Sequence, residues 1–537
     1  MAVCTSLLIS CKNDGKNSGE AGKKIKKGSA RNYGITASNA YSDLFLDSAF
    51  VEKFIVEKKI PDSIAWRIRS FYNSRNFEFA WFSSDGLTEQ ARGFWNLHNN
   101  YTSTSEDSAL DNNALKKTMD YLITDDSISP SAKDMVFINT EIQLTSQFIR
   151  HTLSAYEDDY VKRKEMERFV PALKQDALYY ADSLLKKKHK DEKYYADVNP
   201  SYGLLKDKLA DYYAIQKNGG WPVITTTKKN YGKGIAAPEI ALIKKRLQLT
   251  GDMPQADTWH VFNDTLELAV KKFQERHGLK TNGIVTETTL KEMNVPASQR
   301  IQQLLINMDR MRWLPVQPEG ELLKVNIPAF MLHVTDGKKK VFDMNVVVGK
   351  DGHDTRIFTG ILSQVVFSPY WNVPPSIVKD ELLPAIKKDR KYLERQNMEV
   401  TGENNGLPEI RQRPGGENAL GSVKFLFPNS FNIYFHDTPS KSLFARDRRA
   451  FSHGCIRLSD PVRMANYLLR NQSEWSAEKI EDAMNSGEEK SVKLKKGVPV
   501  LITYYTAWVD EQGQLNFRED IYGHDEELNK KMFTKTL

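Results

Sequence analysis

The chain's strongest chemical signal is one thiol flanked by two imidazoles. The stretch from Tyr434 to Arg457 reads YFHDTPSKSLFARDRRAFSHGCIR, with His436 closing a β-like run, FNIYF, and Ser452-His453-Gly454-Cys455 near the other end. A cysteine at its reference pKa of about 8.5 is only a few per cent thiolate at neutral pH, so nucleophilic work needs a nearby base or a field that lowers the pKa. Two histidines can supply both. Gly454, without a Cβ, lets a substrate carbonyl approach the backbone and leaves N–H groups to face a developing oxyanion. Acyl transfer is the chemistry this arrangement suits. A lone cysteine also reads as a small buried hydrophobe, and the residue types alone leave that alternative open.

The spacing goes further. SHGCIR, with the fifteen residues 437–451 between His436 and Ser452, resembles the signature of the YkuD-type L,D-transpeptidases, with Arg457 filling its last position. The resemblance implies Cys455 as nucleophile, His436 as general base and proton donor, and His453 as a polarising partner. It also implies an oxyanion hole from the N–H groups of Gly454 and Cys455, and a substrate pocket touched by Ser452, Tyr434, Arg457 and Trp371. Arg457 either meets a substrate carboxylate or ties its loop down; Trp371 is pocket wall or core. The implied reaction attacks the third residue of a donor tetrapeptide stem, expels D-alanine, and forms a 3→3 peptidoglycan cross-link through a thioester. Peptidoglycan stem peptides and glycan are then the partners, and carbapenem β-lactams the inhibitors. A related L,D-carboxypeptidase or D-amino-acid exchange enzyme fits the same cysteine. An inactive wall-binding scaffold does not explain an intact Cys455 and His436.

The remaining 500 or so of the chain's 537 residues must position this segment, and that length implies about three domains. The balance of 76 basic to 69 acidic side chains gives only +7 and no concentrated basic patch, so no nucleic-acid partner is expected. No cofactor is expected, and no His/Cys/carboxylate cluster stands at zinc spacing, so no metal is either. Two of the three cysteines, Cys4 and Cys11, fall within the opening MAVCTSLLISC. Leu8-Ile9-Ser10-Cys11 resembles a bacterial lipobox, which implies a lipidated Cys11 and a membrane-anchored lipoprotein in the periplasm of a Gram-negative bacterium. No other run reaches the roughly 18 apolar residues of a membrane span.

The element pattern predicts a multidomain α+β chain. After a signal and disordered linker over 1–36, apolar residues recur at helical spacing through 37–230, and FYNSRNFEFAWFSSDGLTEQA there resembles the N-terminal scaffold of large, YcbB-like L,D-transpeptidases. Trp81 and Phe82 read as core. The Lys186 to Lys190 run reads as a solvated helix end. Three short helices are expected over 237–294, where Phe273-Gln274, His277-Gly278-Leu279 and Asn282-Gly283-Ile284 resemble a peptidoglycan-binding domain. A linking helix over 295–320 leads to a β-rich mixed catalytic domain at 321–520, interrupted at 376–420 by a helix candidate and a Gly/Pro/Asn-rich loop. In the large family members such an insertion caps the active site. Residues 521–537 read as a C-terminal tail.

Overall fold

The computed structural model describes residues 29–104, 110–125, 128–155, 170–186, 200–255, 259–313 and 320–534. Cys4, Cys11 and residues 187–190 of the lysine run lie outside them.

Five helices, Ser48–Glu57, Asp62–Ser74, Glu89–Thr104, Asn113–Thr124 and Met135–Ala155, build the N-terminal core. Their starts follow local chemistry. Asp47 accepts the Ala49 N–H and Asn112 the Leu115 N–H, each satisfying a donor that the first helical turn leaves open. Between the second and third helices a two-stranded hairpin, β1 (Phe82–Ser83) and β2 (Gly86–Leu87), interrupts the helical pattern, with Trp81 and Phe82 wholly buried as core. Packing begins before the expected boundary at Ala37: Ser29 donates its N–H to Ser70 Oγ at 3.1 Å. Helices Ala177–Lys186 and Pro200–Lys217 follow.

The next unit holds the three expected helices, Glu239–Leu249, Asp264–Arg276 and Glu287–Met293, capped at the second and third by Asn263 and Thr286. Leu266, Val270 and Phe273 are buried, and Gly278 ends its helix at φ +66°. His277 stacks between Phe273 and Phe517, with ring centroids 3.8 and 5.4 Å away, which docks the unit on the C-terminal part of the chain.

Helix Ala297–Met311 joins every part. Arg310 donates from Nε to Glu89 Oε1 at 2.6 Å and also pairs with Asp525, while Gln90 donates to Asp309 at 3.0 Å. Asn307 donates to Thr506 Oγ1 at 2.7 Å. The C-terminal segment is therefore no tail. Its helix His524–Met532 buries Leu528 and Met532, one turn apart, in a cluster with Ile301, Leu305 and Tyr212.

The C-terminal region contains β3 (Glu321–Asn326), β4 (Met331–Asp336), β5 (Lys339–Gly349), β6 (Thr359–Phe367), β7 (Trp371–Asn372), β8 (Met398–Asn404), β9 (Leu407–Gln412), β10 (Val423–Leu426), β11 (Phe435–His436), β12 (Ala450–Ser452), β13 (Ile456–Leu458), β14 (Lys490–Thr503), β15 (Ala507–Val509) and β16 (Leu515–Phe517). The main sheet runs β12-β5-β13-β11-β10-β6-β14-β3-β4, and β4 pairs again with β5, so eight strands close into a ring. β11–β13 and β14–β3 are parallel within that ring; the other pairs are antiparallel. Helix Pro461–Leu469 starts as expected, with Asp460 accepting the Arg463 N–H and Pro at its first turn. Two expectations fail here. The insertion is not an irregular loop: β8 and β9 form a hairpin that β7 extends to three strands, over the small core of Val373, Ile377, Val378, Leu382 and Ile410. The β15–β16 hairpin leaves the barrel and joins the cluster under the linking helix, because Ala507, Val509, Leu515 and Phe517 bury their faces there.

Arg310 holds two carboxylates at a largely buried junction, so Arg310→Ala leaves both without their cation. We expect a loss of about 3 kcal/mol, in the range for breaking a buried pair, read as a lower urea midpoint. A midpoint unchanged from that of the parent chain would show that packing alone holds the units together.

Candidate active site

The register of β11 against β13 organises the site. Phe435 pairs with Ile456 and His436 with Arg457. Side chains alternate along a strand, so Phe435 and Ile456, both fully buried, face the barrel core, while Tyr434, His436, Cys455 and Arg457 share the other face. The Ile456 N–H donates to Tyr434 O at 3.1 Å, extending the pairing back to the thiol's level.

Ser452 to Cys455 form a self-bonded turn. Ser452 is buried; its hydroxyl donates to Cys455 O at 2.5 Å and accepts the Gly454 N–H at 3.2 Å. Gly454 sits at φ +108°, where an L side chain is strained whatever the space around it, and its carbonyl accepts from Thr355 Oγ1 at 2.8 Å. This corrects two assignments. Ser452 is a brace of the turn rather than a pocket group, and the Gly454 N–H is committed to Ser452 instead of to an oxyanion. The Cys455 N–H has no acceptor among the described residues.

Half-buried Cys455 directs its thiol to Asn432 O, 3.7 Å away, and not to an imidazole. Burial pushes the thiol pKa above the ordinary value, against the opposing influence of Tyr434 and the Arg457 guanidinium. Burial likewise raises Tyr434, with the neighbouring sulfur adding to the effect. Arg457 is lowered by burial and raised by Cys455; its Nε is buried without a hydrogen-bond partner.

His436 is buried, and Nδ1–H donates to the carbonyl of Asp437, so Nε2 carries the lone pair. Burial first, and Arg457 second, lower its pKa to about 3. Asp437 anchors this strand end. Its Oδ2 accepts from the Ser422 N–H and hydroxyl, both at 2.9 Å, and it pairs with Lys441. Burial alone would raise that carboxyl, but Lys441 and Ser422 hold it below the usual range.

His453 faces elsewhere. Its Nε2 lies 2.9 Å from Glu381 Oε1 of the insertion, and its ring packs edge-on against His353 at 4.7 Å. Trp371, on β7, packs partly buried against the insertion's own core. The insertion thus touches the Ser452–Cys455 turn through Glu381. Sequence reasoning missed Asn432, Asp437, Thr355 and Glu381. Asp437 adjoins His436 and was within reach; Glu381, in KDELLP, carries no signal beyond an exposed helical carboxylate.

Among the described residues no three His, Cys, Asp or Glu side chains converge as metal ligands would, and no helix is long and apolar enough to cross a membrane.

Three family models match the chain: "L,D-transpeptidase catalytic domain" (YkuD) over residues 320–502, "Scaffold domain" over 67–209 and "Putative peptidoglycan binding domain" over 236–293. A Haemophilus influenzae protein described as "Putative L,D-transpeptidase" is 31% identical over 256 residues, 45% of this chain and 50% of that protein; the chain thus spans about half the length of this curated relative. Among solved structures, an L,D-transpeptidase from Stackebrandtia nassauensis is 14% identical over 52% of this chain and 97% of its own, with a TM-score of 0.22. L,D-transpeptidase 3 from Mycobacterium tuberculosis, solved with a faropenem-derived adduct, is 14% identical over 34% of this chain and 60% of its own, with a TM-score of 0.18. With the His436–Cys455 segment inside the first of these matches, residues 320–502 belong to the YkuD family of L,D-transpeptidase catalytic domains, carried behind a scaffold domain and a peptidoglycan-binding domain.

Proposed function

We propose that the chain is an L,D-transpeptidase that forms 3→3 peptidoglycan cross-links through a thioester on Cys455. The observation that carries this reading is the shared face of Cys455, His436 and Arg457 across β11 and β13. Cys455 Sγ attacks the carbonyl carbon of the third residue of a tetrapeptide stem, and His436 Nε2 takes the thiol proton. The N–H of Cys455 donates to the resulting oxyanion. His436 returns the proton to the departing amine of D-alanine, the C–N bond breaks and a thioester remains. An amine of a second stem then attacks that carbonyl, gives its proton to His436 and expels the thiol. Arg457, whose guanidinium donates to no group among the described residues, receives a stem carboxylate. Water in place of the amine would make the same site a carboxypeptidase, and a free D-amino acid would make it an exchange enzyme.

The resting pair in this scheme is neutral, since the same burial pushes the thiol up and the imidazole down. A thiolate–imidazolium pair would need both shifts reversed. Proton transfer is therefore coupled to attack instead of preceding it. Alkylation of Cys455 by iodoacetamide should rise with pH through the ordinary thiol range and beyond, without a plateau at lower pH. A plateau between pH 5 and 7 in the measured rates would establish a preformed ion pair and remove this step.

Carbapenems present a strained carbonyl to the same sulfur, which makes adduct mass a direct readout of acylation. Cys455→Ala should form no adduct and no cross-linked product. His436→Ala should acylate about 10²–10⁴-fold more slowly, the usual cost of a lost general base, with partial recovery at high pH; His453→Ala should cost less. A folded His436→Ala that acylates at the parental rate near neutral pH would be incompatible with the scheme.

We also propose that Cys11 is lipidated and holds the protein to a membrane facing the periplasm of a Gram-negative bacterium. Cys11→Ser should then move the protein from the membrane to the soluble fraction, because several acyl chains anchor far better than none. Unchanged membrane association in fractionation would exclude the lipid anchor.

A further inference from the structure

A cleft of about 920 Å³ lies between the scaffold helices and the barrel, lined by Asn96, Asn99 and Asp120 among others on one side and by Ile357, Ile361 and Phe431 among others on the other. Its size is that of a site for a ligand of several rings. Two clips hold its walls together: Asn96 Oδ1 accepts from the N–H and hydroxyl of Thr359 at 2.9 and 3.0 Å, and Ser430 Oγ donates to Asp120 Oδ1 at 3.4 Å. The cleft is thus built into the fold and shared by two domains.

Its chemistry points to one class of ligand. Most lining charges are spent on each other: Arg310 pairs with Glu89, and Lys531 with Asp85 and Glu527. Arg92, Lys116 and Arg356 also line the cleft, with Asp120, Asp125 and Asp354, so the charges nearly balance and no strong field of either sign selects an ion. What remains is apolar face beside carboxamide. Ile357 and Ile361 are exposed on the wall by 37% and 47%, Phe431 packs there on Phe358 at 5.2 Å, and Asn99 opposes them. An apolar wall beside side-chain amides is what a pyranose ring needs, with its C–H face on one side and its hydroxyl and acetamido groups on the other. A second observation is the Oδ1 of Asp354, buried without a hydrogen-bond partner. Burial first, and Asp351 second, raise this carboxyl to about 6.

We infer that this cleft binds a neutral N-acetylated saccharide, the glycan backbone that carries the stem peptides of the reaction proposed above, on which reading the inference rests. The catalytic turn lies just across one wall. Thr355, in that wall, donates to Gly454 O, and Phe431 precedes Asn432, the thiol's acceptor. A glycan held here would keep its attached stem within reach of the barrel face that carries Cys455.

The test uses the full chain and a peptide-free probe, the β-1,4-linked tetramer of N-acetylglucosamine, titrated by calorimetry. Ile361→Trp and Asn99→Trp fill the cleft from opposite walls, with thermal unfolding as the folding control; Ile361 is exposed, so that variant should fold even where the other does not. We expect the parent chain to bind and each folded variant to bind at least tenfold more weakly. No binding by the parent, or equal binding by parent and Ile361→Trp, as when the sugar sits on the 236–293 module, would overturn the inference. Saccharide binding lost in the variants, in a chain that makes no cross-links, would leave the cleft standing and sink the reaction alone.

Discussion

The parallel pairing of β11 with β13 is the constraint on which the site depends. Its two paired positions, Phe435 with Ile456 and His436 with Arg457, bring His436 and the neighbouring Cys455 from separate segments onto one face. A slip of one residue would send Phe435 and Ile456 outward and bury Tyr434, His436, Cys455 and Arg457 in the barrel. What forbids the slip is closure. β11 is held on its other side by β10 and β13 by β5, and the ring through β4 leaves neither strand free to shift. The Gly454 turn and its Ser452 brace then fix where the thiol leaves the strand.

The same enclosure sets the electrostatics. A face sunk beside a barrel core disfavours charge on both thiol and imidazole, and Arg457 adds a positive field that further disfavours the imidazolium. Arg457 also steadies a thiolate at Cys455, so its field favours negative charge on the sulfur while disfavouring positive charge on the imidazole. The two histidines of the motif thus live in different environments. His436 is buried and tautomerically fixed by Asp437, whereas His453 is only partly covered and engaged by Glu381 from the insertion; that partial burial outweighs the carboxylate and lowers its pKa.

Much of this was legible in the sequence. Cys455, His436 and Arg457 stand in the motif, Tyr434 reads as a pocket wall beside it, and strand periodicity is enough to put alternate residues on one face. Helix starts at Asp460 and the end at Gly278 followed from side chains whose capping chemistry is local. What escaped depended on contacts between distant segments. The β8–β9 hairpin was hidden because β8 is largely exposed and β9 buries only Ile410 and the polar Gln412, so neither shows the apolar alternation that marks a half-buried strand. The C-terminal helix looked like a charged tail because only Leu528 and Met532 face inward. The Gly454 N–H was assigned to an oxyanion because sequence cannot say that a serine two residues earlier bends back to accept it.

One helix explains why these separately legible parts act as one body. Ala297–Met311 carries apolar residues toward the scaffold helices and the C-terminal cluster, and its polar edge spends Arg310, Asp309 and Asn307 on Glu89, Asp525, Gln90 and Thr506. Those partners come from the helix after β2, from the segment after β14 and from the C-terminal helix, so the scaffold and the C-terminal helix are both tied to this one. Glu89 and Gln90 begin the same helix that supplies Asn96 and Asn99 to the cleft. Fixing that helix against the barrel fixes the distance between cleft and thiol. A loop-borne scaffold would leave that distance to fluctuate. Here it is set by charge-assisted hydrogen bonds at a buried junction, which are strong where water is excluded and costly to leave unmade.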